Sequence, residues 1–237
     1  FNFLKNLNIF PMQEIIKPKN FDHNLNFKMS NMNMNIKIQT NKANKPLPFK
    51  GYKSKYTQIS KENPKGNLTS AASAPGIIKA MKHVNDKMTD IKTIVVDDWQ
   101  YMSSFEYFDR ANEKGYDKFT QIAANLAMVA KLPKDLRDDL TVIFLTHSED
   151  STDINGNRKI KAKTIGKMID NTLTLEGLFS IVLFGKVNKN DDGELTYGFE
   201  TQNSGENTCK SPMGMFEDKF IPNDLKFVKD CIEEYNQ

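Results

Sequence analysis

Two short apolar runs that end in polar side chains constrain the fold of this chain more than any other feature. The first is TIVVDDWQYM (93–102), in which four β-branched residues precede Asp97 and Asp98. The second is LTVIFLTHSE (140–149), in which the apolar run gives way to Thr146 and His147. Continuous apolar runs of this length are typical of strands that are buried on both faces of a parallel sheet. With helical patterns between them, they predict an α/β fold.

The other predicted elements fit the same architecture. Apolar spacing predicts helices near 74–88, over parts of 101–131 and near 222–235, the last capped by Asn223 or Asp224. Alternation predicts a strand in MNIKIQT (34–40), and an Asp-Gly turn predicts an antiparallel hairpin between 179–187 and 195–202. The proline- and glycine-punctuated stretch 45–67 reads as a long loop.

Composition divides the chain near residue 45. Residues 1–45 hold seven Lys against Glu14 and Asp22, whereas the rest of the chain has 26 basic and 28 acidic residues. The first segment is also rich in Asn, which favours turns over helices. We therefore expect an atypical or poorly ordered segment at 1–44 and the main domain at 45–237.

Several classes of protein are disfavoured by composition. Cys209 and Cys231 are too few for a disulfide scaffold or a zinc framework. No apolar run approaches the roughly 18 residues that span a bilayer, and the N-terminus lacks the pattern of a signal peptide. These observations predict a cytoplasmic protein that does not associate with membranes.

The carboxylates after the first apolar run indicate a metal–nucleotide site. Ligands of open α/β sheets bind outside the carboxyl ends of the strands. In P-loop NTPases an aspartate at such a strand end helps to hold Mg²⁺, an ion that prefers oxygen ligands. Asp97 is the candidate metal residue. The competing interpretation is that strand ends reach solvent, where Asp is common in turns.

His147 and Glu149 end the second run and are candidates for catalytic roles. A polar side chain at the tip of a neighbouring strand can contact a terminal phosphate or orient an attacking water. A lone His is also often a hydrogen-bonded surface residue. The pattern alone leaves both interpretations open.

A phosphate-binding loop, which such a site requires, is missing. The Walker A pattern G-x-x-x-x-G-K-[ST] supplies backbone amides and a lysine to the phosphates, and it occurs nowhere in the 237 residues. KGYKSK (50–55) and GNLTSAASAPG (66–76) contain some of the required residue types in the wrong order.

Basic and aromatic residues alternate in KPLPFKGYKSKY (45–56), where Lys50, Tyr52, Lys53 and Lys55 are candidates for contact with single-stranded nucleic acid. Lysines offer phosphate contacts and aromatic rings offer stacking faces for bases. A solvated lysine loop is the plainer alternative. A second basic run contains Lys163 and Lys167, and it is either a phosphate or DNA contact or a solvated face.

From about residue 45 onward the sequence resembles a family of bacteriophage RecA-like, AAA-type P-loop ATP-binding proteins that is associated with DNA recombination and single-strand annealing. The resemblance covers roughly four-fifths of the chain. It lies in these stretches, in this order: NKPLPFKGYKSKY, IKTIVVDDWQYM, EKGYDKFTQIA, LRDDLTVIFLTHSE, KTIGKMIDNTLTLEGLFSIVLF and NTCKSPMGMFEDKFIPNDL.

The resemblance implies a RecA-like P-loop NTPase core with a mostly parallel central sheet and a C-terminal antiparallel hairpin. TIVVDD is then the Walker B strand, with Asp97 on Mg²⁺–ATP and Asp98 assisting, while THSE is the sensor strand that carries His147. The basic residues that correspond to nucleotide contacts, from this subunit or a neighbour, are Lys163, Lys167 and Lys210.

The N-terminal part departs from the family. A glycine-rich Walker A loop and its helix normally precede the second strand, where this chain has the Asn- and Lys-rich segment 1–35. FLKNLN (3–8) is faintly similar to the helix that follows the loop, so either the loop lies upstream of Phe1 in a longer parent or the N-terminal part is degenerate or frame-shifted. Without the loop, we expect ATP hydrolysis to ADP and phosphate to be poor or absent.

The sequence therefore predicts an ATP- and Mg²⁺-binding protein that acts on single-stranded DNA in recombination or annealing. We expect it in the cytoplasm of the host cell, as a homo-oligomer with the nucleotide site between subunits. The alternative is a non-enzymatic DNA-binding or assembly subunit with a degenerate nucleotide site. Another P-loop motor, such as a helicase or packaging ATPase, is less favoured because no translocation motif is found.

Overall fold

A computed structural model describes residues 6–10, 35–39, 52–152, 155–171, 173–189 and 192–237. The strands are β1 (Asn6–Phe10), β2 (Asn35–Gln39), β3 (Leu68–Ser70), β4 (Thr93–Asp97), β5 (Thr141–Leu145), β6 (Ser148–Thr152), β7 (Arg158–Ala162), β8 (Ile181–Lys189), β9 (Leu195–Glu200) and β10 (Phe220–Pro222). The helices are α1 (Tyr52–Lys55), α2 (Ala74–Lys87), α3 (Tyr101–Asp109), α4 (Asp117–Lys131), α5 (Lys167–Asp170) and α6 (Leu225–Tyr235), with 3₁₀ turns at Leu132–Asp135 and Leu175–Leu178.

Eight strands form one mixed sheet in the order β10-β9-β8-β1-β5-β4-β2-β3. The six strands from β8 to β3 are parallel, while β9 runs antiparallel to both β8 and β10. Strands β6 and β7 form a separate antiparallel hairpin. The mostly parallel sheet and the antiparallel β8–β9 hairpin confirm the predicted α/β class.

Alternate residues of the central strands pack into two separate cores. Ile94 and Val96 of β4 lie in the core beneath α2 and α4, whereas Val95 lies in the core beneath α6. Side chains alternate between the faces of a strand, so a run that is apolar at every position needs cover on both faces. Helices on both faces of the sheet provide that cover.

Side-chain caps begin two of the helices, and the cap of the last one is a predicted residue. Ser73 caps α2, accepting a hydrogen bond from Gly76 N at 3.4 Å, with a proline in the first turn. Asp224 caps α6, accepting from Lys226 N at 2.8 Å. Both caps satisfy amide groups that have no partner within the helix.

Three local predictions need correction. Asn6–Asn8 lie in strand β1, not in a helix, because β1 is paired on both sides by β5 and β8. The run 140–149 is not one strand; β5 ends at Leu145 and β6 starts at Ser148 as part of a hairpin. The stretch 45–67 contains the short helix α1.

The strand predicted in MNIKIQT is present as β2, which pairs with both β3 and β4. Within the described residues, no helix has the length and apolar character required to cross a bilayer.

Candidate nucleotide-site edge

The strand order reverses between β1 and β5. From β1 the chain leads toward β2 and β3 at one side of the sheet, while from β5 it leads past β1 to β8 at the other side. Crevices at such a switch point, outside the carboxyl ends of the strands, are the usual ligand sites of open α/β sheets. The residues that follow β4 and β5 lie at this edge, because Val96 is level with Phe144 in the register.

Asp97 and Asp98 occupy the turn after β4. Asp97 is the last residue of the strand and is level with Gln39 of β2. Asp98 has a φ of 55°, in the left-handed region, where Asp is tolerated better than most side chains. This conformation reverses the chain toward α3, and Tyr101 N then donates to Asp98 O at 3.0 Å.

Trp99 anchors the turn to the core. Its side chain is fully buried, with ring centroids 5.0 Å from Phe144 and 6.0 Å from Phe179. Its backbone N–H donates to Leu145 O at 3.1 Å, which ties the turn to the end of β5. The tryptophan after the two carboxylates therefore fixes their position and is itself inaccessible to a ligand.

His147 meets Asp98 across the edge. His147 Nε2 lies 3.2 Å from Asp98 Oδ1, and the two side chains keep 38% and 23% of their surface exposed. The backbone holds His147 in place, because Lys163 N donates to its carbonyl oxygen at 2.8 Å. The structure thus brings together two of the three predicted catalytic candidates.

Tyr56 is a neighbour of the site that sequence reasoning missed. Burial raises the pKa of its phenol, and the negative charge of Asp97 raises it further. Tyr56 follows α1 and lies 41 positions before Asp97 in the sequence, so no spacing signal connected them.

Glu149, the third candidate, lies on β6 opposite Lys161. Its Oε1 is 3.3 Å from Lys161 Nζ, and the same ammonium group also contacts Asp170. Burial lowers the pKa of Lys161, but Asp170 and Glu149 outweigh burial and leave it raised. The carboxylate of Glu149 is therefore used within the hairpin network.

The predicted cofactor-binding lysines occupy different surroundings. Lys163 is exposed beside His147, and Lys167 is exposed at the start of α5. Lys210 forms a backbone bridge with Val182 of β8, a strand that is adjacent to β1 and three positions from β4. Burial lowers the pKa of Lys210, while Glu176 acts in the opposite direction.

The predicted nucleic-acid residues are described only in part. Lys50 lies outside the described residues, and so do the side chains of Tyr52 and Lys53, whose backbone forms α1. Lys55 is exposed, and its carbonyl oxygen accepts from Asn67 Nδ2 at 2.9 Å.

The donor set at the edge fits a magnesium ion held mainly by water and phosphate. Among the described residues no group of three or more His, Cys, Asp or Glu side chains can form a metal cage. Mg²⁺ is commonly held by one or two carboxylates together with waters and substrate phosphates, and Asp97 and Asp98 supply that number. The segment that follows β1, residues 11–34, contains no glycine, and the first glycine of the chain is Gly51.

No model of a known protein family matches the sequence, and no curated protein matches it. Among solved structures, the chain is similar to a KaiC-like protein, PH0186, from the hyperthermophilic archaeon Pyrococcus horikoshii OT3, with 10% identity and a TM-score of 0.37 over 73% of this chain and 67% of that chain. So weak a similarity carries no argument about function. The chain is an α/β protein with a mostly parallel sheet on the evidence of its own topology.

Proposed function

We propose that this chain is a RecA-like ATP- and Mg²⁺-binding protein that acts on single-stranded DNA in recombination or annealing. The observation that carries the proposal is the placement of Asp97, Asp98 and His147 at the switch-point edge, with Asp98 and His147 in contact at 3.2 Å.

Each residue of the edge has its own proposed role. When bound, Mg²⁺ neutralises charge on the phosphate oxygens of ATP. Asp97 would hold the ion through water, and Asp98 would orient a water molecule. Trp99 keeps both carboxylates at fixed positions because its ring is locked in the core.

The contact with Asp98 restricts what His147 can do. Nε2 of His147 faces Asp98 Oδ1 at 3.2 Å, so this nitrogen is not directed at a phosphate. We infer that His147 contacts a terminal phosphate only after its ring leaves Asp98.

Hydrolysis is expected to be poor or absent in this chain. Backbone amides and the lysine of a Walker A loop normally position the triphosphate, and the sequence lacks them. Lys163 and Lys167, both exposed, are proposed to reach a nucleotide at the boundary with a second subunit of a homo-oligomer in the cytoplasm of the host cell.

Calorimetric titration with ATP tests the proposal. Binding is expected to require Mg²⁺ and to weaken about tenfold or more in Asp97→Asn, because the ion loses a charged partner. Asp90→Asn is the matched control, since Asp90 is exposed in the turn that precedes the same strand. A titration with ATP that releases or absorbs no heat would contradict the nucleotide site. Binding that does not depend on Mg²⁺ or on the Asp97→Asn substitution would contradict it as well. Robust turnover that Asp97→Ala abolishes would contradict the expected lack of hydrolysis.

The glycine-free segment after β1 favours a second candidate function, a non-enzymatic DNA-binding or assembly subunit that retains the fold without the nucleotide. This alternative predicts salt-sensitive binding of single strands that is indifferent to ATP and to Asp97→Asn. Lys50→Ala and Tyr52→Ala are expected to weaken that binding.

A further inference from the structure

A small cleft opens beside the Asp98–His147 contact. Its volume is about 230 Å³, and one wall is formed by α3 while the other is formed by His147 and the residues after β7. The lining residues are Gln100, Tyr101, Ser104, Phe105, Phe108, His147, Lys163 and Thr164. The nucleotide proposal uses only His147 and Lys163 of this set.

The α3 wall is an aromatic stripe. Tyr101, Phe105 and Phe108 follow the i, i+4, i+7 spacing that places residues on one face of a helix. The rings of Tyr101 and Phe105 are stacked with centroids 6.0 Å apart, and Phe108 keeps 69% of its surface exposed. The stripe is not the core-facing side of α3, because that side carries Met102 and Ser103, which are buried.

A buried polar group at the cleft has no partner. Gln100 is only 6% exposed, and its Oε1 makes no hydrogen bond to any of the described residues. Buried polar atoms are nearly always hydrogen-bonded, so an exception requires an explanation. A ligand that donates an N–H group to Gln100 provides one, once the side chain turns to present Oε1 to the cleft.

A positive charge stands at the same cleft. Lys163 is exposed, and no ion pair joins it to a carboxylate in the described part of the chain. The cleft therefore combines aromatic faces, one hydrogen-bond acceptor and one cation.

We propose that the cleft binds a single nucleobase that carries an amino group, with its phosphate on Lys163. The base stacks on the α3 stripe, as bases do on aromatic side chains of single-strand binding proteins. Gln100 reads the amino edge, the group that Gln and Asn recognise on adenine. The inference deepens the proposed action on single-stranded DNA and rests on it for the source of the base.

The size and polarity of the cleft favour this ligand over others. Its volume is below the roughly 300–1,000 Å³ of pockets for drug-sized ligands, so it suits one ring system. An apolar side chain of a partner protein would fill the aromatic wall but would leave Gln100 Oε1 unsatisfied. A base with an amino group stacks on the aromatic wall and also donates a hydrogen bond to Gln100 Oε1.

The test compares labelled oligodeoxyadenylate with an oligonucleotide of the same length in which internal bases are replaced by abasic sites. Both carry the same number of phosphates, so fluorescence anisotropy isolates the contribution of the bases. We expect the base-containing strand to bind about tenfold tighter or more, which is the range for one stacked base. Adenosine monophosphate is the third ligand, and it tests a free nucleotide as the source.

Variants assign the effect to the cleft. Phe105→Leu and Gln100→Leu are expected to remove most of the difference between the two strands, whereas Lys163→Gln weakens both strands and lowers the salt slope by about 0.7. Phe227→Leu is the matched control, since Phe227 is 40% exposed on α6 at the other face of the sheet. Circular dichroism checks folding, and Phe108→Ser replaces Phe105→Leu if that variant unfolds, because Phe108 is already exposed.

The outcomes distinguish failure of the proposed base site from failure of the proposed action on DNA. Equal affinity for the two strands overturns the base site while leaving DNA binding intact. Binding of the monophosphate that depends on Phe105, without binding of either strand, supports the base site and contradicts the action on DNA. Absence of binding for all three ligands overturns both.

Discussion

Two groups of polar side chains at this sheet differ in how far the protein satisfies their hydrogen-bonding groups. The switch-point edge, defined by Asp97, Asp98, Gln100 and His147, follows β4 and β5. The flank cluster lies beside β8 and β9 and comprises Glu176, Glu200, Asn207, Thr208 and Cys209.

The flank cluster is saturated by the protein. Glu176 Oε1 accepts from Ala162 N at 2.7 Å and from Thr208 Oγ1 at 3.0 Å. Glu200 contacts Lys186 Nζ at 3.0 Å and accepts from Asn207 Nδ2 at 2.7 Å. Burial of these carboxylates is compensated by hydrogen bonds, which is the condition under which buried charges are tolerated.

The switch-point edge differs from the flank cluster in exposure, in backbone conformation and in one hydrogen-bond acceptor. Asp98 and His147 remain partly exposed, Asp98 holds a left-handed backbone, and Gln100 Oε1 lacks a partner in the described chain. Strained backbone and unsatisfied polar groups are features that cluster at ligand sites. The number of charged residues in a region is therefore a poor guide to function. Whether each polar atom already has a hydrogen-bond partner within the protein is more informative about function.

The largest expected effect concerns the flank cluster. Glu176→Ala is expected to lower the free energy of unfolding by about 2–3 kcal/mol, because the buried amide of Ala162 loses a charged acceptor. Urea denaturation measures the change. Glu233→Ala is the control, since Glu233 belongs to an exposed i,i+4 pair with Lys229 and is expected to cost less than about 0.5 kcal/mol. Equal effects of the two changes would remove the distinction between saturated and exposed carboxylates.

The sequence predicted one side of this comparison better than the other. Apolar runs and their polar ends predicted β4 and β5, and parallel neighbours place their carboxyl ends together. The contact between Asp98 and His147 was not predicted. The partners of Glu176 are 14 and 32 residues away, and no local pattern reports such contacts. They depend on how the β6–β7 hairpin and the segment after β9 pack against the sheet.

Two further features were beyond sequence reasoning for different reasons. Strand β1 lies in Asn-rich sequence of low strand propensity, and pairing on both sides overrides that propensity. The aromatic spacing of α3 is equally compatible with a core-facing and a solvent-facing stripe. Packing decides between them, since Met102 occupies the core side.

The second prediction uses pH to probe the flank. Burial raises the pKa of the Cys209 thiol to about 12 from an ordinary value of 9.0. The unfolded chain releases this proton near pH 9, whereas the folded chain retains it. The free energy of unfolding therefore falls as the pH rises from about 9 to about 12, and this thiol does not affect it below that window. The expected loss is on the order of 2 kcal/mol near pH 10.5.

Cys209→Ala supplies the control for this pH dependence. The variant is expected to lose less stability between about pH 8 and pH 10.5 than the parent chain does, and urea denaturation at both pH values measures the difference. Identical slopes in the two proteins would show that the thiol is not shielded in the folded flank.

The third prediction compares two lysines on the same segment. Lys161 contacts Glu149 and Asp170 with 25% of its side chain exposed, whereas Lys163 borders the cleft and is exposed. Lys161→Ala is expected to cost about 1–2 kcal/mol, between the values for surface and buried pairs. Lys163→Ala is expected to change stability by less than about 0.5 kcal/mol. A larger loss for Lys163 in thermal or urea unfolding would place it among the structural residues.

The smallest expected effect concerns the backbone of Asp98. Asp98→Val is expected to lower the free energy of unfolding by about 1 kcal/mol, because a β-branched side chain is strained at a φ of 55°. Asp98→Asn is the control and is expected to change stability by less than about 0.5 kcal/mol, since Asn tolerates this conformation as Asp does. If Val and Asn behaved alike in urea unfolding, the turn would not impose its conformation on this position. If Asn alone were strongly destabilising, the Asp98 carboxylate would belong with the saturated groups of the flank cluster, and the distinction between the two regions would fail at this residue.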